Sequence, residues 1–439
     1  MKKKIFAITW SFSGIAYALS FILLGYISFY CTDTLGLSPG LVGFLLLLSK
    51  IADGISDLIA GVLIERCHSK YGKARPFIWC MAISWIFIIL LFSTPSFGNI
   101  GKAIYIFTIY FITTTIFITL SQTAEPVFLA RSLEDTSDSA NVLAISGMII
   151  TVISTIAGII FPLMLTMWGE KPYGWTIISI IFAIPSIILT AIKFFLIKEK
   201  KSGIQVSREK MSFSDTFKVF GNNPQVIALI LAQVLANIFS GITNTSMTYY
   251  FKYIIGDISM QSLVSMVGLI SPFFMIMIPL LTRKISLIKL VRAVALLGFI
   301  GNAMKIFANG NIMILMLAQL LCSAASIPTA VLLPSFLIDC MDYNEWKTGN
   351  RVEGIFGAMN GFAMKFGGGL SSIIIGVVLA LGGYDGAVLV QSESANNAII
   401  ILFAVIPSLL FLGIYAAFKK YKISEEMPKI QQELAKKKQ

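Results

Sequence analysis

The chain has 439 residues, 56% of them hydrophobic and only 13% charged, with a mean hydropathy of +0.84. That composition excludes a soluble globular enzyme and a disordered chain alike, and identifies an integral membrane protein. The formal charge of +12 would suit a nucleic-acid partner, but its distribution argues for a membrane instead. With both termini cytoplasmic, 27 of the 34 Lys and Arg fall in cytoplasmic segments; Lys102, Lys171, Lys252 and Lys305 lie on the other side, and Lys50, Lys193 and Lys365 sit inside spans.

Lys2-Lys3-Lys4 ahead of an apolar run imitates a secretory signal, yet the run is too long and leads straight into another span, so it reads as a retained first helix. Apolar stretches long enough to cross a bilayer at about 20 residues each follow at roughly 5–31, 41–64, 76–97, 101–124, 142–167, 173–197, 224–251, 258–281, 286–307, 311–338, 354–382 and 397–418. The fold expected is all-α, with about twelve spans in two six-helix bundles. The boundaries expected are 1–197 for the first bundle, 198–223 for a cytoplasmic linker, 224–418 for the second bundle and 419–439 for a basic, lipid-facing tail.

The second span carries Lys50, Asp53 and Asp57 at spacings of three and four, which places all three on one helix face. A charge at the bilayer centre costs about 2.5–3.5 kcal/mol even on the lenient insertion scale, so such groups face a polar interior and line an ion or substrate path. The fourth span ends in Ser121-Gln122-Thr123-Ala124-Glu125-Pro126, with Phe128 just beyond. In the linker, Phe213, Phe217 and Phe220 recur at helical spacing after Ser212 and predict a short amphipathic helix on the inner membrane surface.

Tyr30 and Gly36 at the end of the first span recur as Tyr250 and Gly256 at the end of the seventh, a weak echo of parallel internal repeats. Between the tenth and eleventh spans stand Asp339, Asp342, Glu345, Arg351 and Glu353. These acids are expected to face Arg66, Lys70, Lys73, Arg75 and Arg131 of the first half as a cytoplasmic gate, a network whose weight lies in being made in one state only. Lys365 in span 11 has no acid at helical spacing, those positions being Gly361, Phe362, Gly368 and Gly369, so its partner comes from another helix, from Glu125 or Asp57, or from an anionic substrate.

Five cysteines without short repeated spacing indicate neither a disulfide framework nor a zinc site. The single histidine, His68, lies in a loop, which removes histidine proton relays inside the membrane. Gly367-Gly368-Gly369 is no phosphate loop, and no nucleophile elbow or metalloprotease motif is present, so no enzyme activity and no cofactor are expected.

Two stretches carry a family resemblance: Tyr30-Cys31-Thr32-Asp33 with Gly36, Lys50 to Asp57 and Lys70-Tyr71-Gly72-Lys73-Ala74-Arg75-Pro76; and Asp339 to Gly354. Together they resemble the glycoside–pentoside–hexuronide:cation symporters of the major facilitator superfamily, the group that includes the melibiose permease and the glucuronide carrier. The resemblance implies that Asp53 and Asp57 bind the coupling cation, Na⁺ or H⁺, with Lys50 as the accompanying base and Ser121 as a further hydroxyl. Two carboxylates one turn apart supply hard oxygen ligands, and one base against two acids leaves a net negative site. The galactoside members' sugar-contact positions depart here, reading Tyr17, Ala124, Ala140 and Ala330, so the substrate contacts expected are Tyr17, Glu125, Phe128 and Lys365.

The function expected is import of a glycoside, sugar or sugar acid with a monovalent cation by alternating access. The setting expected is a monomer in the cytoplasmic membrane, in contact with lipid and bound to no nucleic acid. An exporter of amphipathic or lipid-like compounds is the alternative, motivated by the lost sugar positions and 33 phenylalanines, and a non-transporting sensor is a third reading.

Overall fold

The computed structural model describes residues 2–133, 138–199, 224–348 and 353–419, with Tyr421, Met427, Ile430, Gln432 and Glu433 beyond. The expected linker helix around Phe213 and most of the basic tail lie outside the described residues, as do Arg351 and the side chain of Glu353. Among the described residues ten helices are long and apolar enough to cross a membrane: α1 (Ile5–Thr34), α4 (Asn99–Ser132), α5 (Asn141–Trp168), α6 (Gly174–Leu196), α7 (Gln225–Ile255), α8 (Met260–Thr282), α9 (Leu287–Ile306), α10 (Ile312–Trp346), α11 (Met359–Leu381) and α12 (Glu393–Lys419). The remaining two expected spans are α2 (Pro39–Arg66), whose three central charges set it apart, and the shorter α3 (Arg75–Leu91). Among the described residues the β structure is confined to one isolated bridge, Ser69 with Gly72.

Two compact units emerge. The first comprises Met1–Gln205 with Met247–Leu269 and Ser372–Ala398. In it α1 packs on α5 and α6, α3 on α4 and α6, and α2 on α4. Pro39 opens α2 at a position where its missing N–H costs nothing, after Ser38 in extended conformation. Helix α2 meets α11 where no side chain fits: a Cβ on Gly43 would lie 2.7 Å from the Ser372 carbonyl oxygen. One core cluster of this unit gathers Ala7, Trp10, Ile64, Ile78, Ala124 and Phe128.

The repeat seen in sequence has a backbone counterpart. Both α1 and α7 end in a π-helical turn, Tyr30–Thr34 and Phe251–Ile255, and both chains then turn at a glycine in the left-handed region, Gly36 (φ +70°) and Gly256 (φ +82°). Equivalent backbone bonds close the two turns, Leu37 N–H to Cys31 O at 2.9 Å and Asp257 N–H to Phe251 O at 3.0 Å.

The second unit comprises Val206–Ser246, Ile270–Ser371 and Ile399–Gln439. Here α9 packs against α10 and α12 through small residues. A Cβ on Gly298 would fall 2.6 Å from the Phe411 ring, and one on Gly301 would fall 2.9 Å from the Leu321 side chain.

Candidate functional site

Helix α2 sorts its residues by face. Ile51, Ile55 and Ile59 are each more than half exposed and recur every four residues as a lipid-facing stripe. At about 100° per residue, Lys50, Asp53 and Asp57 lie on the opposite side. Asp53 stands at the middle of the 28-residue helix and is buried, while Asp57 is half-buried one turn on. Lys50 Nζ lies 3.1 Å from Asp53 Oδ2, and 5.8 Å from the centre of the Tyr110 ring. The other carboxylate oxygen accepts the hydroxyl of Thr115, and Ser56 donates to the Thr115 carbonyl. Alongside, Ser49 and Tyr110 line a small cavity, and the Ser49 hydroxyl has no hydrogen-bond partner in the structure.

Thr115 is the residue that sequence reasoning missed. It sits in a π-helical stretch of α4, Ile112–Ile118, where the extra residue per turn rotates the threonine run relative to a regular helix. Ser121, expected at the cation site, is instead fully buried and accepts a 2.6 Å hydrogen bond from the Tyr17 hydroxyl. Thr115→Ala is expected to raise the cation concentration needed for half-maximal uptake about tenfold, the order of one hydrogen bond to a charged group. Thr115→Ser should keep the wild-type value, and unchanged cation dependence in the alanine variant would remove Thr115 from the site.

Three other expectations shift. Glu125, one of the two acids offered as a partner for Lys365, is held by another lysine: both of its oxygens accept from Lys193 Nζ, at 3.0 and 2.7 Å. Lys193 is fully buried, donates to Ser13 Oγ at 2.5 Å and lies 3.6 Å from the centre of the Trp10 ring. The pair ties α4, α6 and α1 together. Phe128, expected to touch substrate, is a core residue with 0% exposure, packed at 5.4 Å on Trp10. Tyr17 is buried against Ser121, and Lys365 is half-buried on α11 between the exposed Met364 and Phe366.

At the start of α3, Arg75 is buried, and its guanidinium donates to the Phe194 carbonyl at 2.9 and 2.6 Å and stacks 4.5 Å from that residue's ring. Glu199, which the sequence reading left without a role, accepts the backbone N–H groups of Lys73, Ala74 and Arg75 at 2.6–2.8 Å and pairs with Arg131 at 3.1 Å. Arg75 and Arg131 thus both have partners within the first unit. Arg66 and Lys70 are exposed and Lys73 is half-buried; Asp339, Asp342 and Glu345 are half-buried on α10.

A second carboxylate hub lies in the first unit where α1 ends. Asp33 Oδ1 accepts from Lys252 Nζ at 2.8 Å and the Tyr253 hydroxyl at 2.6 Å; Oδ2 accepts from the Thr32 hydroxyl at 2.9 Å and the Tyr384 hydroxyl at 2.5 Å. Burial first, then the neighbouring Tyr249 and Asp33, push the pKa of the Tyr384 hydroxyl well above its ordinary value, so it remains a donor. One carboxylate with four donors joins the ends of α1 and α7 to the loop after α11. Asp33 was quoted in the sequence motif, but its partners come from chain segments far away and no local spacing reveals them.

The family described as MFS/sugar transport protein matches residues 11–425. The isoprimeverose transporter of Lactiplantibacillus pentosus is 26% identical over 442 residues, covering 98% of this chain and 91% of that protein. The putative glycoside/cation symporter YagG of Escherichia coli (strain K12) is 25% identical over 432 residues, covering 94% and 89%. Among solved structures, a D-xylose-proton symporter aligns with a TM-score of 0.66 at 15% identity over 95% of this chain and 99% of that one. The nucleoside transporter NupG aligns with a TM-score of 0.62 at 16% identity over 95% and 100%.

Proposed function

Because the chain belongs to the MFS/sugar transport family, a family of multi-pass membrane transporters and not enzymes, we propose that it is an importer of a glycoside or sugar acid coupled to Na⁺. The observation that carries the coupling is the Lys50–Asp53–Thr115 cluster at mid-span, turned away from the lipid stripe of α2. Charged groups at that depth persist when they serve an ion path. Asp53 and Asp57 supply oxygen ligands for the cation. Lys50 offsets part of their charge, so that a bound monovalent cation leaves the face neutral. Na⁺ is favoured over H⁺ because two carboxylates one turn apart supply the hard oxygen ligands that a metal cation needs.

Transport proceeds by rocking of the halves 1–197 and 224–418 about the mid-span site, in the cytoplasmic membrane with both termini inside. The Asp33 hub is the outer latch of this cycle: it is complete only when the ends of α1 and α7 and the loop after α11 are together, so opening the outer end breaks four hydrogen bonds to one carboxylate at once. Lys365 is the group that meets an anionic substrate.

Thermal-shift screening of the purified chain against galactosides, glucosides, pentosides, glucuronides and sulfosugars, with and without Na⁺, tests this reading. Stabilisation by one sugar class, larger when Na⁺ is present, is expected. Lys365→Gln should weaken acidic sugars much more than neutral ones. Equal loss of both would place Lys365 outside substrate recognition.

A further inference from the structure

Helix α7 carries four uncharged polar side chains at spacings of four, three and four: Gln233, Asn237, Ser240 and Asn244. All four belong to the second unit, and Ser240 lies midway between the ends of α7 at Gln225 and Ile255. At about 100° per residue they fill one narrow arc of the helix. Two neighbouring helices and an exposed leucine occupy other parts of the circumference. Helix α11 crosses at Gly367, where a Cβ would come 2.8 Å from the Val234 carbonyl and 2.7 Å from Asn237 Cβ, and at Ser371, which abuts Gly241. Helix α12 packs against Leu235 through Gly413 and against Phe239 through Phe411, with ring centroids 4.6 Å apart. Between these two contacts Leu231 is 49% exposed and marks the lipid side, about 120–180° round the helix from the four polar residues.

Within that arc Gln233 is 3% exposed, yet neither its amide nitrogen nor its amide oxygen has a hydrogen-bond partner. A buried carboxamide left unsatisfied is costly, and it points to a ligand or water that completes it. Asn237 spends one N–H on the Gln233 backbone carbonyl at 2.8 Å, whereas Ser240 and Asn244 are exposed at mid-span, where facing lipid would be unfavourable.

We propose that this arc of α7 is a sugar-hydroxyl subsite, in which the carboxamides of Gln233 and Asn244 and the hydroxyl of Ser240 bind the uncharged hydroxyls of a pyranose ring. A carboxamide presents a donor and an acceptor side by side, the match for a vicinal diol, and the arc carries no charge that would select an acid group. The proposal rests on the sugar-transport reading and adds a specificity element distinct from the α2 carboxylates and from Lys365.

The test measures binding of isoprimeverose, lactose and methyl glucuronide, each beside its monodeoxy analogues, to purified full-length wild type and to Asn244→Ala, Ser240→Ala and Gln233→Leu. Asn244→Ala is expected to lose about tenfold in affinity for the sugar that the wild type binds, while losing nothing further when the matching hydroxyl is removed from that sugar. Its Na⁺-induced thermal shift should stay at the wild-type value. Should Gln233→Leu not fold, the two variants at exposed positions carry the test alone. Wild-type affinity and wild-type discrimination between parent and deoxy sugars in both of them would overturn the subsite. A wild type that binds none of the probes would overturn the sugar-transport reading itself, and the subsite with it.

Discussion

Asp53→Asn is expected to abolish cation-driven accumulation of sugar while leaving the protein folded and still able to equilibrate substrate. The substitution removes charge and not volume, and the asparagine oxygen can still accept from Thr115. What is lost is the 3.1 Å pair with Lys50 and one of the two carboxylates proposed to hold the cation. Removing one partner of a buried pair leaves the other charge uncompensated, so cation occupancy is no longer favoured where Lys50 remains. Uptake against a gradient should fall to the level of cells without the protein, with downhill equilibration retained. Concentrative uptake at the wild-type level would exclude Asp53 from coupling.

The second large effect is on stability. Lys193→Met should destabilise the first unit by about 3–5 kcal/mol, because the Glu125 carboxylate then sits among apolar helices without its cation. The lysine is fully buried, with all its donors engaged by Glu125 and Ser13, while the glutamate side chain keeps 17% exposure. Some of the cost is therefore relieved by solvent at Glu125. Combining Glu125→Gln with Lys193→Met should cost less than Lys193→Met alone, since no unpaired charge remains. Thermal unfolding in detergent reads both, and a double variant less stable than either single one would show that the pair is not the unit of stability.

The spans were legible because hydrophobic runs of membrane length and the placement of Lys and Arg are local properties of the sequence. The Lys50–Asp53 contact was legible for the same reason: both groups lie on one helix at i, i+3. Residues whose partners come from elsewhere were not. The regular-helix register pointed to Ser121, whereas the π-helical stretch of α4 brings Thr115 to Asp53, and no composition rule announces a π turn. Lys193 could have been found, since an intramembrane lysine with Leu189, Thr190, Leu196 and Ile197 at helical spacing must seek an acid on another helix. Phe128 looked like a ligand contact because it follows the Glu125-Pro126 segment, but its rotation round α4 carries it under Trp10 into the core. Counting charges could not foresee that Glu199 would cap three backbone amides and hold Arg131.

The most direct measurement is reciprocal: the affinity for sugar with and without Na⁺, and the affinity for Na⁺ with and without sugar, on the purified wild type and on Asp53→Asn. If one cavity serves both ligands, each raises the other's affinity by the same factor, and the factor falls to one in the variant. Sugar affinity indifferent to Na⁺ in the wild type, or coupling that survives Asp53→Asn unchanged, would contradict a cation-coupled site built on α2.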